Sequence, residues 1–362
     1  MRFEQVDRCP LLEWGPWQTT IMRWQQETGL DAAALLSYSR ECDPVANAEV
    51  DFSMMPPFEE RVISEDDETI TKIDKMGLTC REFKKNPETS MPEFIGFPVR
   101  NATDWKEVKR RFDPSTPARY PPDWERLIMK WGTEKPILCL YGGVAAYYGG
   151  PSLFGFVRML LGDEQVLYAF HDNPGMIHDM METATEFALA ILPKALAEAP
   201  VTYVQFWEDM CYRSGPLISP AMFREFMLGR YQRITEAIRR AGIDIIFVDS
   251  DGKVDELIPL WLEAGINGVF PMEQAADNDI HAYRRRYGRN LLMAGGIDKR
   301  ALAKDKAAID RELERQLPLA RGGGYIPTID HSIPPDVSFE NFSYYWKRKK
   351  ELLGAMPGGL GS

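Results

Sequence analysis

The chain lacks several features that would decide its class at once. No apolar run reaches the roughly 18 residues of a membrane-spanning helix, and the opening MRFEQVDRCP lacks the long apolar core of a secretion signal. The five cysteines are widely spaced and form no CxxC pair. A disulfide framework and a cysteine-rich zinc site are therefore disfavoured, and we expect a cytoplasmic protein with free thiols.

Charge and glycine patterns exclude further classes. The net charge is −11 and no basic stripe stands out, which argues against a nucleic-acid partner. Neither GxGxxG nor GxxxxGK[ST] occurs, so the sequence carries no dinucleotide fingerprint and no phosphate-binding loop. With 362 residues and 44% hydrophobic content, the chain fits one large α/β domain with additions, or two domains.

Five apolar runs in the second half of the chain end in acidic residues or a histidine, which are common in ligand-binding and catalytic sites. The run Ile243–Gly252 ends in Asp249-Ser250-Asp251-Gly252. A continuous apolar run bounded by turn residues predicts a strand of a parallel sheet, and ligands bind at the carboxyl ends of such strands. The other four runs end in Glu208-Asp209, in Glu273, in Gly295-Gly296 followed by Asp298, and in Asp330-His331. This repetition predicts one shared pocket; for each acid alone, a helix N-cap or an exposed turn is the alternative.

Helical patterns follow these runs and predict the fold class. Ser219 as N-cap and Pro220 at the first helical position begin a helix that extends to Gly242. With a further apolar run at Pro136–Val144, and two N-terminal pieces at Pro10–Trp14 and Asp51–Met55, we predict about eight parallel strands and an α/β fold of the (β/α)8 TIM-barrel type. A doubly wound open sheet is the alternative.

The remaining segments give a domain plan. Period-2 alternation across 60–84 predicts an antiparallel β excursion with one wet face. We expect an N-terminal extension over 1–130 that contains the first barrel strands and this excursion. The main barrel body follows over 131–354, and 355–362 is expected to be a flexible, glycine-rich tail.

Four motifs together resemble the uroporphyrinogen decarboxylase superfamily. They are Gly215–Phe226 (GPLISPAMFREF), Met293–Asp298 (MAGGID), Gly323–Pro335 (GGYIPTIDHSIPP) and Ser338–Asn341 (SFEN). The superfamily includes porphyrinogen decarboxylases and corrinoid- or coenzyme M-linked methyltransferases. The resemblance covers about residues 130–354 and implies a (β/α)8 barrel with its site at the C-terminal mouth.

The N-terminus departs from the decarboxylase branch of that superfamily. The branch carries an arginine-rich motif of the form RQAGRY that holds the propionates of the tetrapyrrole. Here the corresponding stretch Arg8–Trp17 is RCPLLEWGPW, with acid and tryptophan where arginines are needed. A polyanionic tetrapyrrole would meet too little positive charge, so the resemblance is closer to the methyltransferase-like branch.

The metal motif of the methyltransferase branch is also altered. That branch binds zinc through a His-x-Cys-Gly strand tip and a later cysteine. By resemblance, Asp249, Asp251 and His331 stand at those positions. They are candidate ligands for zinc or another divalent ion, without thiolates; clustered acids acting by protonation alone are the alternative.

These observations predict an enzyme that moves a methyl group from a small methylated substrate, such as a methyl ether, to a corrinoid protein or a thiol acceptor. The candidate catalytic residues are Asp249, Asp251, His331, Glu208 and Asp209. The candidate substrate-binding residues are Trp207, Tyr147, Tyr148, Arg213, Phe270, Glu273, Gly295 and Gly296.

Several alternatives remain open. The first is a decarboxylase of a porphyrinogen or other acidic substrate, with Asp249 or Asp209 as proton donor and Arg213 holding the carboxylate. The second is a corrinoid- or tetrapyrrole-binding protein without catalysis. Phe270 could instead pack in the barrel core, and His331 could make a structural hydrogen bond. The expected partners are the substrate, a corrinoid protein and a second copy in a homodimer.

Overall fold

The structure is a computed structural model that describes residues 1–4, 8–84, 92–141 and 152–354. The strands are β1 (Val45–Asn47), β2 (Arg61–Glu65), β3 (Thr69–Ile73), β4 (Thr79–Phe83), β5 (Glu93–Gly96), β6 (Ile137–Tyr141), β7 (Tyr203–Trp207), β8 (Cys211–Tyr212), β9 (Gly215–Pro216), β10 (Ile246–Asp249), β11 (Gly268–Phe270), β12 (Leu292–Ile297) and β13 (Tyr325–Ile329). The helices are α1 (Gln18–Thr28), α2 (Ala32–Leu35), α3 (Ala102–Lys109), α4 (Trp124–Glu134), α5 (Phe154–Leu161), α6 (Asp163–Asp172), α7 (Pro174–Glu198), α8 (Pro220–Met222), α9 (Gly229–Arg240), α10 (Ile258–Glu263), α11 (Ile280–Tyr287), α12 (Lys299–Leu302), α13 (Lys306–Gln316) and α14 (Phe339–Gly354). None of the helices in these ranges is long and apolar enough to cross a membrane.

The predicted barrel-type fold is confirmed. A curled parallel sheet runs in the order β1-β6-β7-β10-β11-β12-β13, and helices connect its successive strands. Its last six strands fall within the six apolar runs from Pro136 onward, because these runs are apolar enough to be covered on both faces of the sheet. In register, Asp249 lies between Trp207 of β7 and Phe270 of β11. The carboxyl ends of the strands therefore meet at one mouth.

The N-terminal segment, Leu11–Trp17, spans the gap between the two edges of this sheet. Pro16 forms a parallel bridge with Ile333, just beyond β13, and the Trp17 N–H donates to the Ile333 carbonyl at 3.1 Å. On the other side, the Asp43 N–H before β1 donates to the Leu11 carbonyl at 2.9 Å. The segment predicted as the opening strand thus lies where an eighth strand would close the barrel.

A fully buried ion pair fastens this segment. Glu13 Oε2 lies 2.8 Å from Lys349 Nζ of α14, and neither side chain is exposed. Lys349 also donates to the Leu12 carbonyl at 2.8 Å. Glu13 Oε1 accepts the N–H of Ile329 at 2.9 Å, and Oε2 accepts the Tyr345 hydroxyl. Because each charge is paired and hydrogen-bonded, the pair can exist in the core.

The strand predicted at Asp51–Met55 is wrong. The first barrel strand is β1 instead, and Asp51–Met55 is irregular backbone. The buried guanidinium of Arg119 donates to the carbonyls of Asp51 and Ser53, so these carbonyls are satisfied by a side chain rather than by a sheet.

The antiparallel excursion is confirmed. Strands β2, β3, β4 and β5 form one antiparallel sheet in chain order. The helix predicted from Ser219 is also present: the Ser219 hydroxyl accepts the Met222 N–H at 3.2 Å. Between α8 and α9 this helix contains a π-helical turn, Phe223–Leu228. The predicted tail at 355–362 lies outside the described residues.

Candidate active site

Asp249 is a buried acid at the mouth of the barrel. It ends β10 with 7% exposure, and its Oδ2 accepts a hydrogen bond from Gln205 Nε2 at 3.3 Å. Burial raises the pKa of its carboxyl well above the usual value, and the nearby Asp251 and Asp209 add to this shift. An aspartate in this setting retains its proton at a higher pH and can act as an acid.

Asp209 lies beside Asp249 and has an arginine partner. Arg158 Nη1 of α5 donates to Asp209 Oδ2 at 2.7 Å and also contacts Asp163 at 2.6 Å. Burial raises the pKa of Asp209, with a further contribution from Asp251, and outweighs the lowering by Arg158. Arg158 therefore offsets part of the negative charge of the mouth but has little capacity for a further anion.

Asp251 and His331 form the more exposed part of the site. His331 Nε2 lies 3.5 Å from Asp251 Oδ2, and His331 Nδ1 accepts the Ser332 N–H at 2.8 Å. These contacts place the proton of the neutral imidazole on Nε2, facing Asp251. Burial opposes the charged imidazolium, yet the hydrogen bond and charge of Asp251 raise the His331 pKa above its usual value.

Two tryptophans of the N-terminal segment extend the site. The centroid of the Trp14 ring lies 4.8 Å from that of Phe270 and 6.0 Å from that of His331, and both pairs are stacked. Trp17 also stacks on His331, with 6.0 Å between the ring centroids. These four rings form a continuous aromatic wall beside the carboxylates. Its tryptophans occupy the stretch where the decarboxylase branch carries its arginines, and they were not among the predicted site residues.

Glu208 occupies a structural position. Its Oε1 accepts the Leu153 N–H and its Oε2 the Gly155 N–H, each at 2.7 Å, where α5 begins. Burial raises its pKa to about 7 although these backbone bonds oppose the shift. Both oxygens thus accept N–H groups at a helix N-terminus. This matches the structural alternative given above for each acid, the capping of a helix.

Glu273 and Asp330 fix the loops around the mouth. Glu273 Oε2 accepts the Gly252 N–H at 2.9 Å, and its Oε1 lies 3.0 Å from Lys299 Nζ. Asp330 accepts the N–H groups of Gln274 at 2.8 Å and Lys299 at 3.1 Å, and burial raises its pKa to about 6. Glu273 therefore holds the loop that carries Asp251 and is not itself free to bind a substrate cation.

A close backbone contact within the protein explains why glycines occupy the two predicted positions, Gly295 and Gly296. Gly295 has φ +97°, and a side chain there would lie 1.7 Å from the Pro271 carbonyl oxygen. Gly296 has φ +78° and donates its N–H to the same carbonyl at 3.1 Å. The close approach that requires glycine is therefore between β12 and the residue after β11, not with a ligand.

The other predicted binding residues are dispersed. Trp207 is half-buried at the mouth with the Arg158 guanidinium 5.8 Å from its ring. Arg213 is exposed at the turn between β8 and β9. Tyr147 and Tyr148 lie outside the described residues.

The predicted metal ligands do not converge. Across 1–4, 8–84, 92–141 and 152–354, no group of three or more His, Cys, Asp or Glu side chains is placed to hold a metal ion. Asp249 is directed to Gln205, whereas Asp251 and His331 are directed to each other. This donor set does not fit a three-ligand zinc site, and no step below is derived through a metal.

Comparison with known proteins was made by sequence and by structure. The sequence profile of the family Uroporphyrinogen decarboxylase (URO-D) matches residues 149–352, more than half of the chain. Uroporphyrinogen decarboxylase from Thermus thermophilus is 28% identical over 232 residues, which are 60% of each chain. The chloroplastic enzyme from Zea mays is 24% identical over 183 residues, which are 50% of this chain and 44% of the relative. The chain thus spans about half the length of the curated relatives it matches.

A solved structure shares the fold over nearly the whole chain. It is a methyltransferase from Methanosarcina mazei, with a TM-score of 0.59 and 13% identity, covering 97% of this chain and 96% of that one. Together with the profile match across the barrel, and with the four motifs at its strand tips and helix starts, these findings establish that the chain belongs to the uroporphyrinogen decarboxylase family.

Proposed function

We propose that the chain is a methyltransferase that moves a methyl group from a small methylated substrate, such as a methyl ether, to a corrinoid protein or a thiol acceptor. The observation that carries this proposal is the composition of the mouth. Asp209, Asp249 and Asp251 lie beside the tryptophans of the N-terminal segment, and the neighbouring Arg158 is already paired with two aspartates. A polyanionic porphyrinogen would be repelled there, whereas a neutral substrate would not.

The buried aspartate supplies the chemistry that a methyl ether needs. When the methyl–oxygen bond breaks, its electron pair stays on the oxygen and the methyl group passes to the nucleophile that the acceptor provides. The oxygen then requires a proton, and the raised pKa of the Asp249 carboxyl favours the protonated form that donates one. Asp249 ends the step as a carboxylate and regains its proton from solvent past Asp251 and His331.

The stacked rings position the substrate. Phe270 is the register neighbour of Asp249, and Trp14 stacks on Phe270. An apolar or aromatic substrate that packs against this wall is held next to the carboxyl. The name of the Methanosarcina protein, a methyltransferase, is consistent with this branch, and its likeness to the chain is one of fold.

The test is transfer from a methoxylated donor to reduced cobalamin, followed by the absorbance of methylcobalamin, with a thiol acceptor in parallel. Asp249→Asn keeps the size of the side chain but donates no acidic proton, so we expect a loss of about 100-fold or more in rate. Asp244→Asn, at an exposed ion pair near the opposite end of the same strand, is the matched control. Equal rates for Asp249→Asn and wild type would contradict the proposed acid.

Decarboxylation is the second candidate, and the same carboxyl favours it. A protonated Asp249 could protonate the carbanion left by loss of carbon dioxide, and the curated relatives are named uroporphyrinogen decarboxylases. Arg213 would then hold the substrate carboxylate. Release of carbon dioxide from uroporphyrinogen, with a raised KM in Arg213→Ala, would support this candidate against methyl transfer.

A further inference from the structure

The interior of the barrel next to Asp249 is hollow. Side chains normally fill the interior of a (β/α)8 barrel in layers. Here a cavity of about 640 Å³ lies inside the curled sheet, between the N-terminal segment and strands β1, β6, β7 and β10 to β13. This volume falls within the roughly 300–1,000 Å³ of small-molecule sites.

Short side chains at inward-facing positions leave this space. Cys139 of β6 and Ala294 of β12 line the cavity with short side chains. The rings of Phe247 and Phe270 form part of the wall and do not fill the centre. Such a lining favours apolar ligands, since filling it removes apolar surface from water.

Gln205 connects the cavity to the catalytic acid. Its side chain lines the cavity with only 6% exposure. One end of the amide bonds to Asp249 at 3.3 Å, and within the described ranges the other end has no hydrogen-bond partner. The Gln205 side chain faces the cavity, so a ligand with a hydrogen-bond donor can reach the Oε1 acceptor. The cavity also reaches the level of Asp249 in the sheet. The lining residue Phe270 is the register partner of Asp249 on β11, and the lining residue Ala294 follows at the same level on β12.

The two charged side chains that line the cavity are each paired. Glu13 is paired with Lys349 inside the fold, and Arg2 is paired with Asp244 at 2.8 Å near the amino ends of the strands. A charged ligand would lose its hydration without gaining a counter-ion. The cavity therefore suits a neutral molecule.

We propose that the barrel interior binds a neutral, largely apolar molecule whose single polar group donates a hydrogen bond to Gln205 Oε1. That this molecule is the demethylated product of the transfer, with a free hydroxyl, rests on the proposed function. The binding itself does not, because it follows from the cavity and its lining.

The first test uses a matched pair of fluorescent probes on the full chain. N-phenyl-1-naphthylamine is neutral, and 8-anilino-1-naphthalenesulfonate adds a sulfonate to the same rings. We expect the neutral probe to bind at least tenfold more tightly. Equal or tighter binding of the sulfonate would overturn the assignment of a neutral ligand.

The second test locates the probe. Ala294→Phe fills the cavity and is expected to weaken the neutral probe at least tenfold, whereas Ala190→Phe, on the exposed side of α7, is expected to leave binding unchanged. Ala294→Leu fills less of the space and should give an intermediate loss; it replaces Ala294→Phe if circular dichroism shows that the larger variant does not fold. Binding to the Ala294 variants as tight as to Ala190→Phe would overturn the location.

The third test addresses the polar contact. Gln205→Leu should weaken 2-naphthol, whose hydroxyl can donate to Gln205 Oε1, by about threefold to tenfold, the effect of one hydrogen bond, and leave naphthalene unchanged, both measured by displacement of the neutral probe. Equal effects on the two ligands would overturn the contact with Gln205. All three tests omit an acceptor, so a chain that binds but transfers no methyl group would contradict the proposed function alone.

Discussion

Replacing Lys349 by methionine is expected to destabilise the fold strongly. The Lys349 ammonium and the Glu13 carboxylate are 2.8 Å apart and fully buried. Lys349→Met keeps the apolar stem but removes the charge, so the Glu13 carboxylate is left inside the protein without its counter-ion. Loss of one partner of a buried pair costs about 3–5 kcal/mol. The N–H of Ile329 and the Tyr345 hydroxyl still bond to Glu13, which favours the lower end of that range.

The assay is urea unfolding at neutral pH, with Lys347→Met as control. Lys347 lies on the same helix with 78% exposure, so its replacement should change the free energy of unfolding by less than about 0.5 kcal/mol. The double variant Glu13→Gln/Lys349→Met leaves no buried charge and should be more stable than Lys349→Met alone. A cost below about 1 kcal/mol for Lys349→Met, or a double variant less stable than the single one, would refute this reasoning.

Three further predictions concern the site and its supports. Gly295→Ala should destabilise the fold by more than about 2 kcal/mol in urea unfolding, because the new methyl group would collide with a backbone carbonyl and the residue has a positive φ. Gly132→Ala is the control: this glycine lies in a helix with open space around the position of a side chain, so the change should be neutral or stabilising. Ser219→Ala should cost about 1 kcal/mol by removing the N-cap. For His331→Gln, the loss in free energy of unfolding relative to wild type should be largest below pH 6.5 and should shrink as the pH rises through the raised His331 pKa. The reason is that the protonated imidazole is stabilised by Asp251 in the folded state. A loss that grows with pH would contradict the assigned contact.

The strands that build the mouth were predictable because their sequence is unambiguous. Five long apolar runs end abruptly in acids or histidine, and parallel pairing brings those ends together whatever the details of packing. Asp251 and His331 are therefore in contact, whereas the Asp249 side chain is directed to Gln205. The same pattern could not distinguish a candidate catalytic acid from a capping acid, since Glu208 accepts backbone N–H groups at the start of a helix whereas the adjacent Asp209 contacts the Arg158 side chain.

Other parts of the site depend on contacts that the sequence pattern does not contain. Arg158 reaches Asp209 from a helix 51 residues away, and nothing in its local pattern indicates this. Trp14 and Trp17 gain their role from the chain crossing the open side of the sheet. Gln205 did leave a signal, as a lone amide inside the apolar stretch VTYVQFW, because a buried polar side chain requires a partner.

The bond between Glu13 and Lys349 joins residues 336 positions apart. During synthesis the lysine leaves the ribosome 336 residues after the glutamate, so the nascent barrel has no side wall at this position while the strands between them assemble. Contacts of such long range form slowly, and the unfinished interior is exposed to chaperones and to other chains in the meantime. We therefore expect the yield of folded protein to depend more on α14 than its distance from the catalytic acid would suggest.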